Sequence, residues 1–141
     1  MRNILLGILI LLAVTATASV VMDITSMPTE TLFSAGYSTS LTVHNLGLGV
    51  SRSLAIPSNQ AVTLWAFWEV GFPDEIYRDT FFIGADVRAE IWPFAGAMET
   101  FMSRGFDLEL HMGMQDLKVG IRLAGCWFDR VEWFLKARFI F

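Results

Sequence analysis

Residues 130–141 read Arg130-Val131-Glu132-Trp133-Phe134-Leu135-Lys136-Ala137-Arg138-Phe139-Ile140-Phe141. Every odd-numbered position is apolar, while the even-numbered positions hold Arg130, Glu132, Lys136 and Arg138 with Phe134 and Ile140. A repeat of two is the period of a β-strand, in which successive side chains point to opposite faces. A strand that is oily on one face and ionic on the other fits a wall between an apolar exterior and a polar interior.

The same two-faced pattern recurs upstream. Phe81, Ile83, Ala85, Val87, Ala89 and Ile91 alternate with Phe82, Gly84, Asp86, Arg88, Glu90 and Trp92. Phe106, Leu108, Leu110, Met112 and Met114 alternate with Asp107, Glu109, His111, Gly113 and Gln115. Past a turn at Gln115-Asp116, Leu117, Val119, Ile121 and Leu123 alternate with Lys118, Gly120, Arg122 and Ala124. Earlier, Val62, Leu64, Ala66, Trp68, Val70 and Phe72 share one face, with Trp65, Phe67 and Glu69 on the other. Phe33 to Val43 alternates on odd numbers, and Leu46, Leu48 and Val50 resume on even numbers, so a tight hairpin turn is expected at His44-Asn45.

With a weaker strand at Val20 to Ser26, the pattern predicts eight strands, at about 20–26, 33–43, 46–56, 61–72, 80–92, 105–114, 117–125 and 130–141. Most have the nine to eleven residues that a tilted membrane strand needs. An even count returns both ends to one side. Residues 44–45, 73–79 and 115–116 then become the turns on that side, and 27–32, 57–60, 93–104 and 126–129 the loops on the other. Segment 73–79 is longer than such a turn usually is. Outward aromatics Phe72, Phe81, Phe139 and Phe141 are expected near the turn side, with Trp127 and Phe128 near the loop side. Arg52 conflicts with strict alternation, which places it on the apolar face; the strand ends near Ser51 or a bulge rephases it.

The start of the sequence reads as an export leader. Arg2 precedes an unbroken apolar run from Ile4 to Val14, and Ala16-Thr17-Ala18 suits cleavage after Ala18. The expected division is a signal peptide at 1–18 and a barrel at 19–141; a retained helical anchor over Ile4–Met22 is the alternative. Without residues 1–18 the chain has nine basic and fourteen acidic residues, a net charge of −5. That balance disfavours nucleic acid, whose phosphates need clustered Lys and Arg. Cys126 is the single cysteine, so no internal disulfide is possible. At 54% hydrophobic residues, with no second run long enough for a helical span, the apolar content is distributed by alternation.

The alternating final strand, terminal Phe141, Phe139 before it, the leader and the eightfold count together resemble the small outer-membrane β-barrels of Gram-negative-type bacteria, the OmpA and OmpX architecture. The resemblance covers roughly residues 20–141. It implies an all-β, eight-stranded, antiparallel up-and-down transmembrane barrel, monomeric and in contact with outer-membrane lipids. It also implies that Trp133, Phe139 and Phe141 are read by the barrel-assembly machinery.

Chemical motifs are sparse. The sequence has no H-E-x-x-H, C-x-x-C, G-x-S-x-G or phosphate-loop pattern, and neither a metal nor a cofactor is expected. The inward faces collect Glu69, Asp86, Glu90, Asp107, Glu109 and Glu132 against Arg88, Lys118, Arg122, Arg130, Lys136 and Arg138. In a narrow barrel such opposed charges, with Trp65, Phe67, Phe82 and Phe134, form a plug. The expected role is structural, surface-interacting or membrane-stabilising, without enzyme activity. A barrel enzyme acting on lipid or peptide is the alternative, with His111 as base beside Glu109 or Asp107. A secreted soluble β-sandwich or lipocalin-like binder is the third reading. His44 is expected to be a solvated turn residue, and Pro93–Arg104 a mobile loop or a short amphipathic helix.

Overall fold

The computed structural model describes residues 18–54, 62–73, 80–92, 105–125 and 128–141. Its eight strands are β1 (Ser19–Ser26), β2 (Thr31–Leu41), β3 (His44–Ser53), β4 (Val62–Pro73), β5 (Thr80–Trp92), β6 (Asp107–Gly113), β7 (Leu117–Ala124) and β8 (Arg130–Ile140). Each strand pairs antiparallel with the next, and β1 pairs with β8, which closes the barrel. The seam is tied at its edge by reciprocal bonds: Val20 N–H donates to the Phe141 carbonyl at 3.2 Å and Phe141 N–H to that of Val20 at 2.9 Å. Closure leaves no strand edge unpaired along this seam, which suits a chain that cannot form a disulfide.

Alternation sets the two faces. Along β8 the burial runs exposed at Trp133, buried at Phe134, exposed at Leu135 and buried at Lys136. The inversion extends around the wall: Trp65, Phe67 and Phe134 are buried beside Asp86, Glu109, Lys136 and Arg138, while among the described residues thirty large apolar side chains stand exposed. The termini of the barrel and the hairpins β2–β3 and β6–β7 lie at one end, here the turn end; the β1–β2 and β7–β8 connections lie at the loop end.

Size complementarity between adjacent strands fills the lumen. Gly47 pairs with Phe67, Gly49 with Trp65, Gly71 with Phe82, Gly84 with His111 and Gly120 with Phe134. At Gly47 an added Cβ would lie 1.9 Å from the Phe67 ring, and at Gly120 one would lie 2.6 Å from that of Phe134. Each bulky inward ring occupies volume that its paired glycine leaves free.

Three expectations change. The β2–β3 hairpin turns at Thr42-Val43, with Thr42 at φ 59°, and not at His44-Asn45. Two-residue loops between right-twisted strands require such a left-handed residue. Asn45, the better turn former, is instead tied into β3 by Ser40 and Glu69. His44 is likewise a strand residue, exposed but stacked on Trp68, whose Nε1 donates to its Nδ1 at 3.3 Å. Finally, β3 ends at Ser53, two residues past Ser51, without a bulge, so that Arg52 still pairs with Phe33 and Val62 in unbroken register and stands exposed on the outward face. The irregularity falls next door, between Val62 and Thr63 in the β4–β5 ladder. Residues 1–17, which hold nearly all of the expected leader, and segments 55–61, 74–79, 93–104 and 126–127 lie outside the described residues.

Candidate functional site

All eight strands place a polar or charged side chain in one buried network: Asp23, Ser34, Ser51, Glu69, Asp86, Glu109, Lys118 and Arg138, in strand order, with Arg88, His111 and Lys136 beside them. Four carboxylates (Asp23, Glu69, Asp86, Glu109) meet four cations (Arg88, Lys118, Lys136, Arg138), and none of the eight is more than 2% exposed. The core is therefore balanced in formal charge at the level where charge imbalance would cost most.

Arg138 is the hub. Its Nε and Nη2 donate to the two oxygens of Asp23 at 2.9 and 2.7 Å, a forked geometry that only a guanidinium offers. It also donates to Glu69 Oε2 and to Asp86 Oδ2, both at 2.9 Å. Its guanidinium carbon lies 3.8 Å from the Phe67 ring centre and 5.5 Å from that of Trp65, so the rings that fill the lumen also face its charge. Lys136 donates to Asp86 and, at 2.7 Å, to Glu109 Oε2. Trp65 Nε1 adds a third donor to Asp86 Oδ2, at 2.9 Å. Arg88 grips Glu109 through Nε at 2.8 Å and reaches across the lumen to Ser34 Oγ at 2.8 Å. Lys118 donates to the Gln115 carbonyl at 2.9 Å and lies 3.4 Å from Glu69.

His111 is 3% exposed and faces neither carboxylate expected beside it. Glu109 is taken up by Arg88 and Lys136, and Asp107 by Arg122. Instead His111 Nε2 lies 3.2 Å from Glu69 Oε2, and its Nδ1 lies 3.3 Å from Asp86 Oδ1, out of line for a hydrogen bond. His111 is thus a buried bridge between Glu69 and Asp86.

A second, smaller cluster sits at the loop end. Arg122 donates to Glu30 Oε1 at 2.8 Å, to Asp107, and to Met27 Sδ at 3.2 Å. Thr29 Oγ1 donates to Glu132 Oε1 at 2.8 Å. Arg122 Nε and Glu132 Oε2 are buried without a hydrogen bond. Arg130 does not join the interior: its side chain is 58% exposed at the rim, with Glu132 only at 3.9 Å. Strand alternation gives it the inward register, but the lumen ends below it. Glu90 is half-buried near the same end.

Sequence reading missed Asp23 and Glu30. Asp23 shares its parity with Val21 and Thr25, all three at 0% exposure, so extending the alternation through the weak first strand identifies it. Glu30 lies in a connection, where no periodicity exists to show that it turns back over the lumen.

Trp133, Phe139 and Phe141 all stand on the outward face, at 65%, 42% and 73% exposure. Outward aromatics gather near both ends. Phe72 pairs with Phe81 at the turn end, and Phe106 meets Phe128 edge-on at 5.6 Å at the loop end. Trp127 lies outside the described residues. Among the described residues no group of three or more His, Cys, Asp or Glu side chains is placed to hold a metal ion. The chain matches no protein-family model, no curated protein and no solved structure, so its functional reading rests on this geometry.

Proposed function

We propose that this chain is a small outer-membrane barrel of a bacterial envelope, exported by its leader, monomeric, and structural or surface-interacting in role, with a lumen plugged by its own side chains. The observation that carries this reading is the inversion of polarity: a fully buried, charge-balanced interior inside a wall whose strands are apolar outward. Monomeric soluble proteins rarely expose contiguous apolar patches beyond a few hundred Å², and here such residues stand on the outward face of every strand. Hydrocarbon is the solvent that suits that face, and a closed barrel is the one β architecture that satisfies all its backbone groups there. The plug argues against a pore, and the enclosure of His111 argues against a rim enzyme.

The decisive experiment is membrane fractionation followed by electrophoresis of unheated and boiled samples. Recovery in the outer-membrane fraction with a heat-dependent shift in mobility is expected; a detergent-free, water-soluble monomer would refute the reading. The facing assignment is tested by Val87→Arg, which puts a charge on the outward face. About 2–4 kcal/mol of destabilisation is expected near the midplane of a bilayer, and unchanged stability in vesicles would count against it. For recognition by the assembly machinery, Phe141→Ala is a cleaner variant than deletion, because the Phe141 backbone also ties the β1–β8 seam. Reduced outer-membrane levels of the variant, with unaltered folding of the purified chain into micelles, are expected.

A further inference from the structure

The closing seam between β1 and β8 stops short of the loop end. Its last rung is Ser26↔Leu135, whereas β8 runs on to Arg130 and keeps its ladder with β7 as far as Ala124↔Arg130. Continued by two residues, the seam would set Pro28 opposite Trp133, and a proline has no N–H to give to a ladder. The chain leaves the seam there. Met27 N–H turns back to the Glu30 carbonyl at 2.9 Å, the Met27 side chain is buried with Leu32 and Phe134, and Thr29 is drawn to Glu132.

Strand alternation shows which groups this leaves open. Val20 and Phe141 exchange both of their backbone bonds, so every second residue of β8, counted from Phe141, directs its N–H and C=O at the β1 side. That series includes Trp133 and Val131, and among the described residues no backbone bond reaches either from that side. Their side chains point outward at 65% and 63% exposure. Glu132 between them turns inward, with Oε2 buried and without a hydrogen bond, and Arg130 beside them holds its side chain out at the rim.

We propose that this edge of β8 takes up an extended segment of another protein as an added strand over residues 130–133, at the loop-end rim. The N–H and C=O groups of Val131 and Trp133 hold its backbone, as in other cases of strand addition, and the side chains set its chemistry. Laid antiparallel, the segment turns outward the residues opposite Trp133 and Val131, which are apolar. The residue between them stands over Glu132 and is a donor, threonine or lysine, for the open Oε2; the one opposite Arg130 is a carboxylate. The partner is thus an extended segment of the order apolar, donor, apolar, acid. The site deepens the surface-interacting role proposed above and rests on the membrane reading, which puts this rim at the cell exterior.

The test is fluorescence anisotropy of a labelled, end-capped Val-Thr-Val-Glu peptide with the full barrel in neutral-detergent micelles. Saturable binding is expected. Methylating the two valine nitrogens keeps the side chains but removes the donors that face β8, and should weaken binding about tenfold. Val131→Pro deletes an edge N–H and none of the bonds to β7, so affinity should fall while the heat-dependent mobility persists. Pro28→Ala restores an N–H opposite Trp133, lets the seam lengthen and should weaken binding as well. Equal binding of the plain and methylated peptides, or no saturable binding by a wild type that shows its heat-dependent mobility, would overturn the site and leave the membrane reading standing. A wild type recovered in water without that mobility shift would remove the membrane reading and the site together.

Discussion

Facing the lumen, β2 and β3 present Ser34, Gly36, Ser38, Gly47, Gly49 and Ser51, whereas β5 to β8 present Asp86, Arg88, Glu109, His111, Lys118, Lys136 and Arg138. One wall has almost no side-chain volume; the other has the longest side chains in the chain. The difference shows how an eight-stranded cylinder can be closed around charges. Long side chains need somewhere to extend, and the serine and glycine wall leaves that space, as when Arg88 crosses to Ser34. Gly36 and Gly49 carry this furthest: they face each other across β2 and β3, and a Cβ on either would come within 2.6 Å of the other's Cα. Buried ion pairs in such an arrangement add little net stability over an apolar core, but they tolerate no missing partner. The charged wall thus holds the barrel to a single arrangement, and the small wall makes that arrangement possible.

The contrast is broken most severely at its hub. Arg138→Ala leaves Asp23, Glu69 and Asp86 short of donors, and a loss of about 3–5 kcal/mol is expected from urea unfolding in micelles. Breaking the small wall should cost less. Gly47→Ala drives a Cβ into the Phe67 ring, with about 1–3 kcal/mol expected; combining it with Phe67→Leu should recover part of that loss, and strictly additive effects would refute the packing account. The smallest effect is expected at the rim, where Arg130→Ala should change stability by about 1 kcal/mol or less. A cost matching that of Arg138→Ala would mean that Arg130 belongs to the interior after all.

Much of this is legible in the sequence. The alternation at 81–91 and 130–141 assigns inward and outward faces that hold except at the two ends of β8, where Arg130 and Ile140 stand exposed, and it puts Trp65, Phe67, Phe82 and Phe134 inside. What escaped it has identifiable causes. The β2–β3 turn was misplaced because Asn45 has the better turn chemistry, while the actual turn uses Thr42 in a left-handed conformation that a β-branched residue seldom adopts. Arg52 looked like a defect because period-two reasoning does not say how far a residue lies from the end of the wall. The partners of His111 were misassigned because proximity in sequence suggested Glu109 and Asp107, whereas the register of β4, β5 and β6 delivers Glu69 and Asp86.

The sequence alone determined that there would be eight two-faced strands and which side chains each would turn inward, because the pleat of a strand is a local property with a period of two residues. Tertiary structure alone decided which charge meets which. Arg138 and Asp23 are 115 residues apart, and they meet only because the last strand closes on the first in one register. A shift of that seam would leave every face unchanged and re-pair the whole interior, so the partners are a property of closure and not of any segment.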